Sequence, residues 1–256
     1  MTSEETVKPS AYEAVYTDEH LVTFGEKAWL RIELGGRAFA LPMVNVTPDD
    51  EVSSAIAWFD PKPEKNPELS DAAAVAMAGL LQRLKADVVV MPKSSKSEAF
   101  IRKAAEQLNL QLVTLLGGAR EPRSEDALKF EAAPETITYY TPVTRTSKMM
   151  GLSDKDVRRL RNAQALGMVV VKADDVKSTG ETFEAIDKTT ELIFGTGHHL
   201  TTAVIAVEAL LSPSYPPPLS TGVHALIAIP EIIGKLNGAK LFSIAQRESI
   251  PQAKVL

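Results

Sequence analysis

The chain contains no cysteine, which removes disulfides and thiolate metal sites and fits a reducing compartment. It also lacks an excess of positive charge. A net charge of −5 over 256 residues argues against a protein held on nucleic acid by phosphate contacts. No apolar run approaches the ~20 residues that span a bilayer. The opening "MTSEETVKPSAYEAVYTDEH" has acids and prolines where a secretory signal needs an apolar stretch. The expectation is a soluble cytoplasmic protein that binds neither nucleic acid nor membrane. There is no internal repeat, and low complexity is confined to short proline clusters. No Ser-His-Asp arrangement or Walker loop stands out. His198 and His199 are neighbours that would point apart on a strand, without a carboxylate at ligand spacing, so they make a poor metal site. His20 and His224 are isolated.

At 45% apolar the chain can build a sizeable core, as one α/β domain with an elaboration or as two small domains. From Tyr12 to Phe59 it reads as strands, with Gly25 and the pair Gly35 and Gly36 as turns. "DPKPEKNP", Asp60 to Pro67, is a proline-rich linker. The period then changes. "LSDAAAVAMAGLLQRLK" reads as a helix with Ser70 as its N-cap and a stripe through Val75, Leu80, Leu81 and Leu84. "ADVVVMP" is a short continuous apolar run, the mark of a strand covered on both faces. "SEAFIRKAAEQLNL" is a second amphipathic helix and "QLVTLL" a second buried strand. Such alternation predicts a parallel sheet with right-handed crossovers. Gly117 to Phe130 reads as a loop, "TITYYTPVTRT" as one strand, and "SDKDVRRLRNAQAL" as a charged helix or turn. "TAVIAVEALL" and "VHALIAI" are further strands, separated by a proline-rich loop, and "PEIIGKLNG" is a short helix.

The informative stretch is "MVVVKADDVKSTGETFEA", Met168 to Ala185. Val169, Val170 and Val171 anchor a central strand, and Asp174 and Asp175 fall at its carboxyl end, where open α/β sheets bind ligands. Adjacent strand residues point to opposite faces, so the two carboxylates are placed to straddle a polyol or hold a hydrated cation rather than to form a close dyad. Lys177, Ser178, Thr179, Gly180, Glu181 and Thr182 follow, supplying hydroxyls and a glycine before a helix whose spacing runs through Phe183, Ile186, Thr190 and Ile193. Backbone N–H groups at such a helix start cradle phosphate. Carboxylates for sugar hydroxyls followed by an anion nest describe a site for a phosphorylated ribose.

"VVVKADDVKSTGET" resembles the 5-phosphoribosyl-1-pyrophosphate (PRPP) motif of type I phosphoribosyltransferases, with adenine and xanthine enzymes the nearest kind. The likeness covers roughly Leu69 to Leu211 and is strongest in the motif. It implies an α/β fold with a mostly parallel central sheet flanked by helices and a β-rich N-terminal hood. By the resemblance, residues 1–67 are the hood, 68–211 the core and 212–256 a C-terminal extension packed on it. Asp174 and Asp175 would bind the ribose hydroxyls and, through water, Mg²⁺. Residues Lys177 to Thr182 would hold the 5′-phosphate. "ADVVVMPKSSKSEAF" stands where the family has its pyrophosphate loop, assigning Lys93, Ser94, Ser95 and Lys96 to that role. "YYTPVTRTSKMMGLSD" stands where a flexible loop closes, bringing Arg145 and Lys148 to the reacting centre. The implied reaction transfers phosphoribosyl from PRPP to a nitrogenous base, a purine by that likeness, in a homodimer.

Two departures bear on this. Lys172 and Ala173 replace two apolar residues, and by alternation Lys172 shares a face with Asp174, where the two can pair. The Lys93 loop is not of the adenine type, so the base cannot be read from it. A protein that binds PRPP or a nucleotide as a sensor, without turnover, is the competing expectation. Trp29, Trp58 and Phe59 could stack on a base, although apolar packing is the commoner role for such residues.

Overall fold

A computed structural model of the chain describes residues 14–16, 18–45, 55–94, 96–119, 136–141, 146–177, 180–208, 222–229 and 239–256. In chain order the strands are β1 (Ala14–Val15), β2 (Leu21–Phe24), β3 (Lys27–Leu34), β4 (Arg37–Asn45), β5 (Ala55–Ala57), β6 (Val88–Pro92) and β7 (Gln111–Ala119), followed by β8 (Thr136–Thr141) and β9 (Thr146–Gly151). The remaining strands are β10 (Val170–Lys177), β11 (Thr201–Glu208), β12 (Val223–Ile229), β13 (Phe242–Ser243) and β14 (Lys254–Val255). The α-helices among the described residues are α1 (Pro67–Arg83), α2 (Glu98–Gln107), α3 (Asp154–Ala165) and α4 (Glu181–Phe194).

The large sheet has the order β1-β12-β11-β10-β6-β7-β9-β8. From β1 to β7 every pairing is parallel, whereas β7–β9 and β8–β9 are antiparallel. The expected parallel sheet is therefore mixed, carrying an antiparallel hairpin on one edge. The cause is "TITYYTPVTRTSKMMG", which forms two strands, β8 and β9, instead of one strand and a loop. The smaller sheet has the order β13-β4-β3-β2, with β5 and β14 also on β4. Its core is the β2–β3–β4 antiparallel meander expected from the N-terminal text. Residues 14–15 and 223–229 belong to the large sheet, while 242–243 and 254–255 pair with β4.

Alternation decides which side each valine serves. Val89, Met91, Val171, Ala173, Ala203 and Ile205 pack with α1, α2 and the inner face of the small sheet. Val88, Val90, Val170, Val204 and Ala225 pack with residues of α3 and α4 on the other side. Both faces of the central strands are thus dry, which explains their continuous apolar text.

Helix α1 begins at Pro67, with Asn66 at the N-cap position, and Ser70 is buried within its first turns. Proline fits there because its missing N–H would have no helical partner. The expectation of a Ser70 cap is corrected by that earlier start. The buried stripe runs through Leu69, Ala72, Ala73, Met77, Leu80 and Leu81. Val75, assigned to the stripe from sequence, points out and is 54% exposed. Helix α3 is capped by Ser153, whose hydroxyl accepts from the Asp156 N–H. The segment 230–238, expected as a short helix, lies outside the described residues.

Among the described residues, no helix is long and apolar enough to cross a membrane.

Candidate functional site

The sheet order sets the location. Strand β6 is followed by β7 on one side, while the later strands β10, β11 and β12 build outward on the other. The order of strands therefore reverses between β6 and β10. Both chains leaving their carboxyl ends turn away from each other into helices, α2 and α4. A crevice at such a switch point is where open α/β sheets bind ligands. β10 pairs with β6 only through Val170, Val171 and Lys172, whereas its pairing with β11 continues to Lys177. From Ala173 onward the β6 side of β10 is open, and Asp174 and Asp175 stand on that open stretch.

The two acids differ. Asp174 is buried at 7% exposure, and Asp175 is partly exposed. The Asp174 carboxylate turns back to accept the Asp175 N–H, Oδ1 to N 2.9 Å. Burial, joined by the charge of Asp175 and a hydrogen bond to its carboxyl, raises the Asp174 carboxyl well above its ordinary value of 3.8. The expectation that strand alternation keeps these groups apart is corrected: the rotation of Asp174 toward its neighbour brings the carboxyls within reach of each other.

Ser97, the residue before α2, is fully buried and close enough to Asp174 to oppose that rise, although its Oγ makes no hydrogen bond of proper geometry. The family resemblance places it in the Lys93-to-Ser97 pyrophosphate loop, but nothing in the sequence sets it beside Asp174. The text "KSSKSE" signals a helix start, but only the β6–β10 adjacency brings that start to Asp174.

Lys172 does not pair with Asp174. Its ammonium binds the Asp187 carboxylate of α4 and also donates to the Phe183 carbonyl at 3.4 Å. Asp187 additionally accepts from the Leu200 N–H at 3.1 Å and lies 2.9 Å from Nδ1 of His199. Lys172 and Asp174 do share a face, but α4 crosses it and supplies a carboxylate that meets the ammonium directly. Burial lowers the Lys172 ammonium pKa, and the hydrogen bond and charge of Asp187 oppose that. Asp187 gave no signal in the sequence, being a single acid inside a helix.

At the strand end, Lys177 is the last residue of β10 and Gly180 the N-cap position of α4, at φ +98°. Gly180, at that position, brings no side chain of its own to cap the helix. A Cβ on Gly180 would lie 3.4 Å from the Lys177 Nζ, so the ammonium folds back over the glycine. Glu181 and Thr182 form the first turn. Ser178 and Thr179, assigned to the same cradle, lie outside the described residues, as do Ser95 and Arg145.

The other assigned cations are dispersed. Lys93 is exposed beyond β6, with its backbone and Cβ packed against Gly117 of β7. The Ser94 hydroxyl accepts from the Lys96 N–H at 3.2 Å, shaping the turn into α2. The Lys96 ammonium stands 4.1 Å over the ring of Trp58. Lys148 is not on a loop: it lies within β9, opposite Ala119 of β7 and Tyr139 of β8. The expected closing loop is corrected at this residue, because the Thr146–Gly151 segment completes a hairpin on the sheet edge.

Trp29 packs edge-on against Phe24 and Phe242, with Lys254 over its ring, and Phe59 lies in the main core. Neither is offered to a base. Among the described residues, no group of three or more His, Cys, Asp or Glu could hold a metal.

No family model matches the chain, and no curated protein matches it. Solved structures of similar fold are adenine and purine phosphoribosyltransferases. The Giardia lamblia APRTase complexed with 9-deazaadenine is 16% identical with a TM-score of 0.48, over 73% of this chain and 93% of that one. The adenine phosphoribosyltransferase of Trypanosoma brucei in complex with AMP, pyrophosphate and ribose-5-phosphate is 17% identical with a TM-score of 0.45, over 74% and 76%. That of Thermoanaerobacter pseudethanolicus is 16% identical with a TM-score of 0.45, over 73% and 95%. These likenesses extend to no residue role and no substrate.

Proposed function

We propose that the protein is a phosphoribosyltransferase that uses PRPP and Mg²⁺ to transfer phosphoribosyl to a nitrogenous base, a purine in the simplest reading, releasing pyrophosphate. The observation that carries this reading is the position of the Asp174-to-Thr182 motif. It leaves the open side of β10 at the β6–β10 switch point and runs into the start of α4.

The chemistry follows from those positions. A C1–O bond to pyrophosphate breaks, a C1–N bond to the base forms, and the base nitrogen loses a proton. Positive charge develops at the anomeric carbon, so the protein's work is positioning, charge compensation and exclusion of water. Asp175, partly exposed, accepts from a ribose hydroxyl, with Asp174 behind it as a second acceptor once ionised. Lys177 folded over Gly180 places a cation beside a helix N-terminus. A 5′-phosphate there satisfies both. Ser94 and the turn before α2 face the departing pyrophosphate.

The residues fit Mg²⁺ as an ion held chiefly by the substrate's own oxygens, since of the two carboxylates on this stretch of β10 one is buried. When bound, that ion supplies charge neutralisation on the pyrophosphate.

Pyrophosphate release on mixing with PRPP, Mg²⁺ and a panel of bases tests the reading directly. Asp175→Asn, at the open strand side, is expected to keep the fold and weaken PRPP binding about tenfold, the loss expected for a charge-assisted hydrogen bond. Calorimetric titration checks it, and unchanged affinity removes Asp175 from the site.

One observation favours a second reading, a PRPP or nucleotide sensor without turnover. Asp174 is buried with a raised proton affinity, and Lys96 is engaged by Trp58 rather than free for pyrophosphate. Calorimetric binding of PRPP with no pyrophosphate released under any base distinguishes that case.

A further inference from the structure

Beside the small sheet lies a pocket of about 290 Å³ whose lining includes none of Asp174, Asp175, Lys177 and Gly180. It opens between the turn preceding α1 and the C-terminal 244–252 segment, with Trp58, Asp60, Lys62, Lys65, Arg247 and Glu248 around it. The turn is held by Asn66: its Nδ2 donates to the Asp60 carbonyl at 2.7 Å and its Oδ1 accepts from the Ala253 N–H at 2.9 Å. The walls are therefore tied together across the chain's length rather than being two loose loops.

The charges inside are unbalanced in a telling way. Lys62, Lys65 and Arg247 have no acidic partner among the described residues. The Arg247 guanidinium lies over the Trp58 ring, 5.3 Å from the centroid. An aromatic face takes up none of its N–H donors, which leaves them for an oxyanion. The N-terminus of α1, seventeen residues long, adds its positive end at the same place. Against this, Asp60 is 7% exposed and its Oδ1 has no hydrogen-bond partner. A buried carboxylate oxygen without a donor is costly. It calls for an N–H or O–H brought in from outside.

We propose that this pocket is a second binding site, taking a small phosphomonoester that carries a hydroxyl or amino donor near its phosphate. The phosphate meets Lys62, Lys65, Arg247 and the start of α1, and the donor meets the Asp60 carboxylate where that residue lines the pocket. The volume lies at the lower edge of the ~300–1,000 Å³ common for small-molecule sites. It suits a sugar phosphate rather than a dinucleotide. Occupancy reaches the β6–β10 crevice through Trp58, because Lys96, in the turn before α2, stands on the same ring. A ligand that draws Arg247 off the indole changes what holds Lys96.

Trp29→Phe leaves Trp58 as the only tryptophan, since the chain has two. Its emission reports on a titration with glucose 6-phosphate, with glucose and inorganic phosphate run in parallel. Calorimetry on the unsubstituted chain repeats the titration without relying on that variant. The expected result is saturable binding of glucose 6-phosphate and none of glucose. Lys65→Ala/Arg247→Ala should weaken it by about tenfold or more, as loss of charge-assisted contacts does. Inorganic phosphate should bind more weakly than the ester, and Asp60→Ala should erase that preference. Asp175→Asn should leave the titration unchanged, which separates this site from the proposed PRPP crevice. The proposal is overturned by three results: no saturation with any probe up to about 10 mM, weaker than any affinity a built site would give; binding indifferent to the Lys65/Arg247 change; or binding lost with Asp175→Asn.

Discussion

Asp174 is held between two demands, burial under the sheet and contact with a second acid one residue on. Its carboxyl is raised above 3.8, first by burial and then by Asp175. An acid whose folded-state pKa is raised binds more protons folded than unfolded between its ordinary and its raised value. Stability therefore falls as pH rises through that window, and the group carries no penalty below it. Asp174→Asn keeps the acceptor for the Asp175 N–H and removes the ionisation. It is expected to be more stable than the parent near neutral pH, with the difference vanishing at about pH 3, where the Asp174 carboxyl is protonated in the folded and the unfolded chain alike. Urea midpoints at the two pH values measure it. Equal midpoints at neutral pH would mean that Asp174 ionises at no cost. At Lys172 the balance is different, because its partner is built in. Removing Asp187 strands a buried ammonium, so Asp187→Ala is expected to cost about 3–5 kcal/mol. Lys172→Met/Asp187→Asn, which keeps an acceptor for the Leu200 N–H, should recover most of that loss in the same unfolding measurement. The presence of Lys172 on a buried strand was legible in the sequence, and so was its need for a partner. Which partner was not, since that depends on the crossing of α4 over the sheet, a distance of fifteen residues along the chain.

At the scale of elements, the strand-to-helix passage from β10 to α4 is where sequence and structure agree most closely. Val170 and Val171, the acids and the glycine appear in the order expected, whereas Val169 precedes β10 and is exposed; the agreement is a local matter of apolar residues for a strand covered on both faces and a positive φ for the turn. Gly180→Ala is expected to destabilise by about 1 kcal/mol, the ordinary cost of placing a Cβ in left-handed backbone. The new methyl would also press on the Lys177 ammonium, 3.4 Å away. Weaker PRPP binding should accompany the stability loss, and calorimetry beside thermal melting separates the two effects. The β8–β9 hairpin shows the opposite case. "TITYYT" and "TSKMMG" each carry β-forming residues, yet nothing in either names the partner strand. Their place is decided by β7, whose pairing from Leu116 to Ala119 offers an edge. Lys148 was consequently assigned to a loop and sits in a ladder. Helix α1 differs in a smaller way: Pro67 reads as the end of the linker and Ser70 as the cap, yet the helix starts at Pro67, which lets Leu69 join the buried stripe.

At the scale of the whole molecule, the question is how a separate antiparallel sheet comes to rest on an α/β core. The text predicts the meander and the core but not their contact, which is made by residues far apart in sequence. Gly35, in the turn between β3 and β4, is the point of closest approach. A Cβ there would meet the Ala72 carbonyl oxygen at 2.5 Å and its Cα at 2.9 Å, and the residue's φ of +57° already disfavours a side chain. Both neighbours are backbone of α1, which cannot swing aside as a flexible side chain would. The contact is extended by Leu30, Ile32, Leu34, Phe39 and Leu41, which join the same apolar cluster as Met77, Leu81 and Phe100. It is closed at the C-terminus by β14 on β4 and by the Leu256 N–H donating to the Ala38 carbonyl at 3.0 Å. Gly35→Ala therefore strikes the joint rather than either sheet. Its cost is expected to exceed that of Gly36→Ala, where the turn is equally left-handed at φ +77° but open space surrounds the Cβ. The conformational part, about 1 kcal/mol, is common to both. The excess at Gly35 measures how firmly the small sheet is seated on α1, with overpacking in rigid surroundings typically adding ~1–3 kcal/mol. Paired unfolding curves of the two variants read it. Identical losses would mean that the turn lifts from the helix freely, and that the small sheet is not braced against the core that carries the β6–β10 crevice.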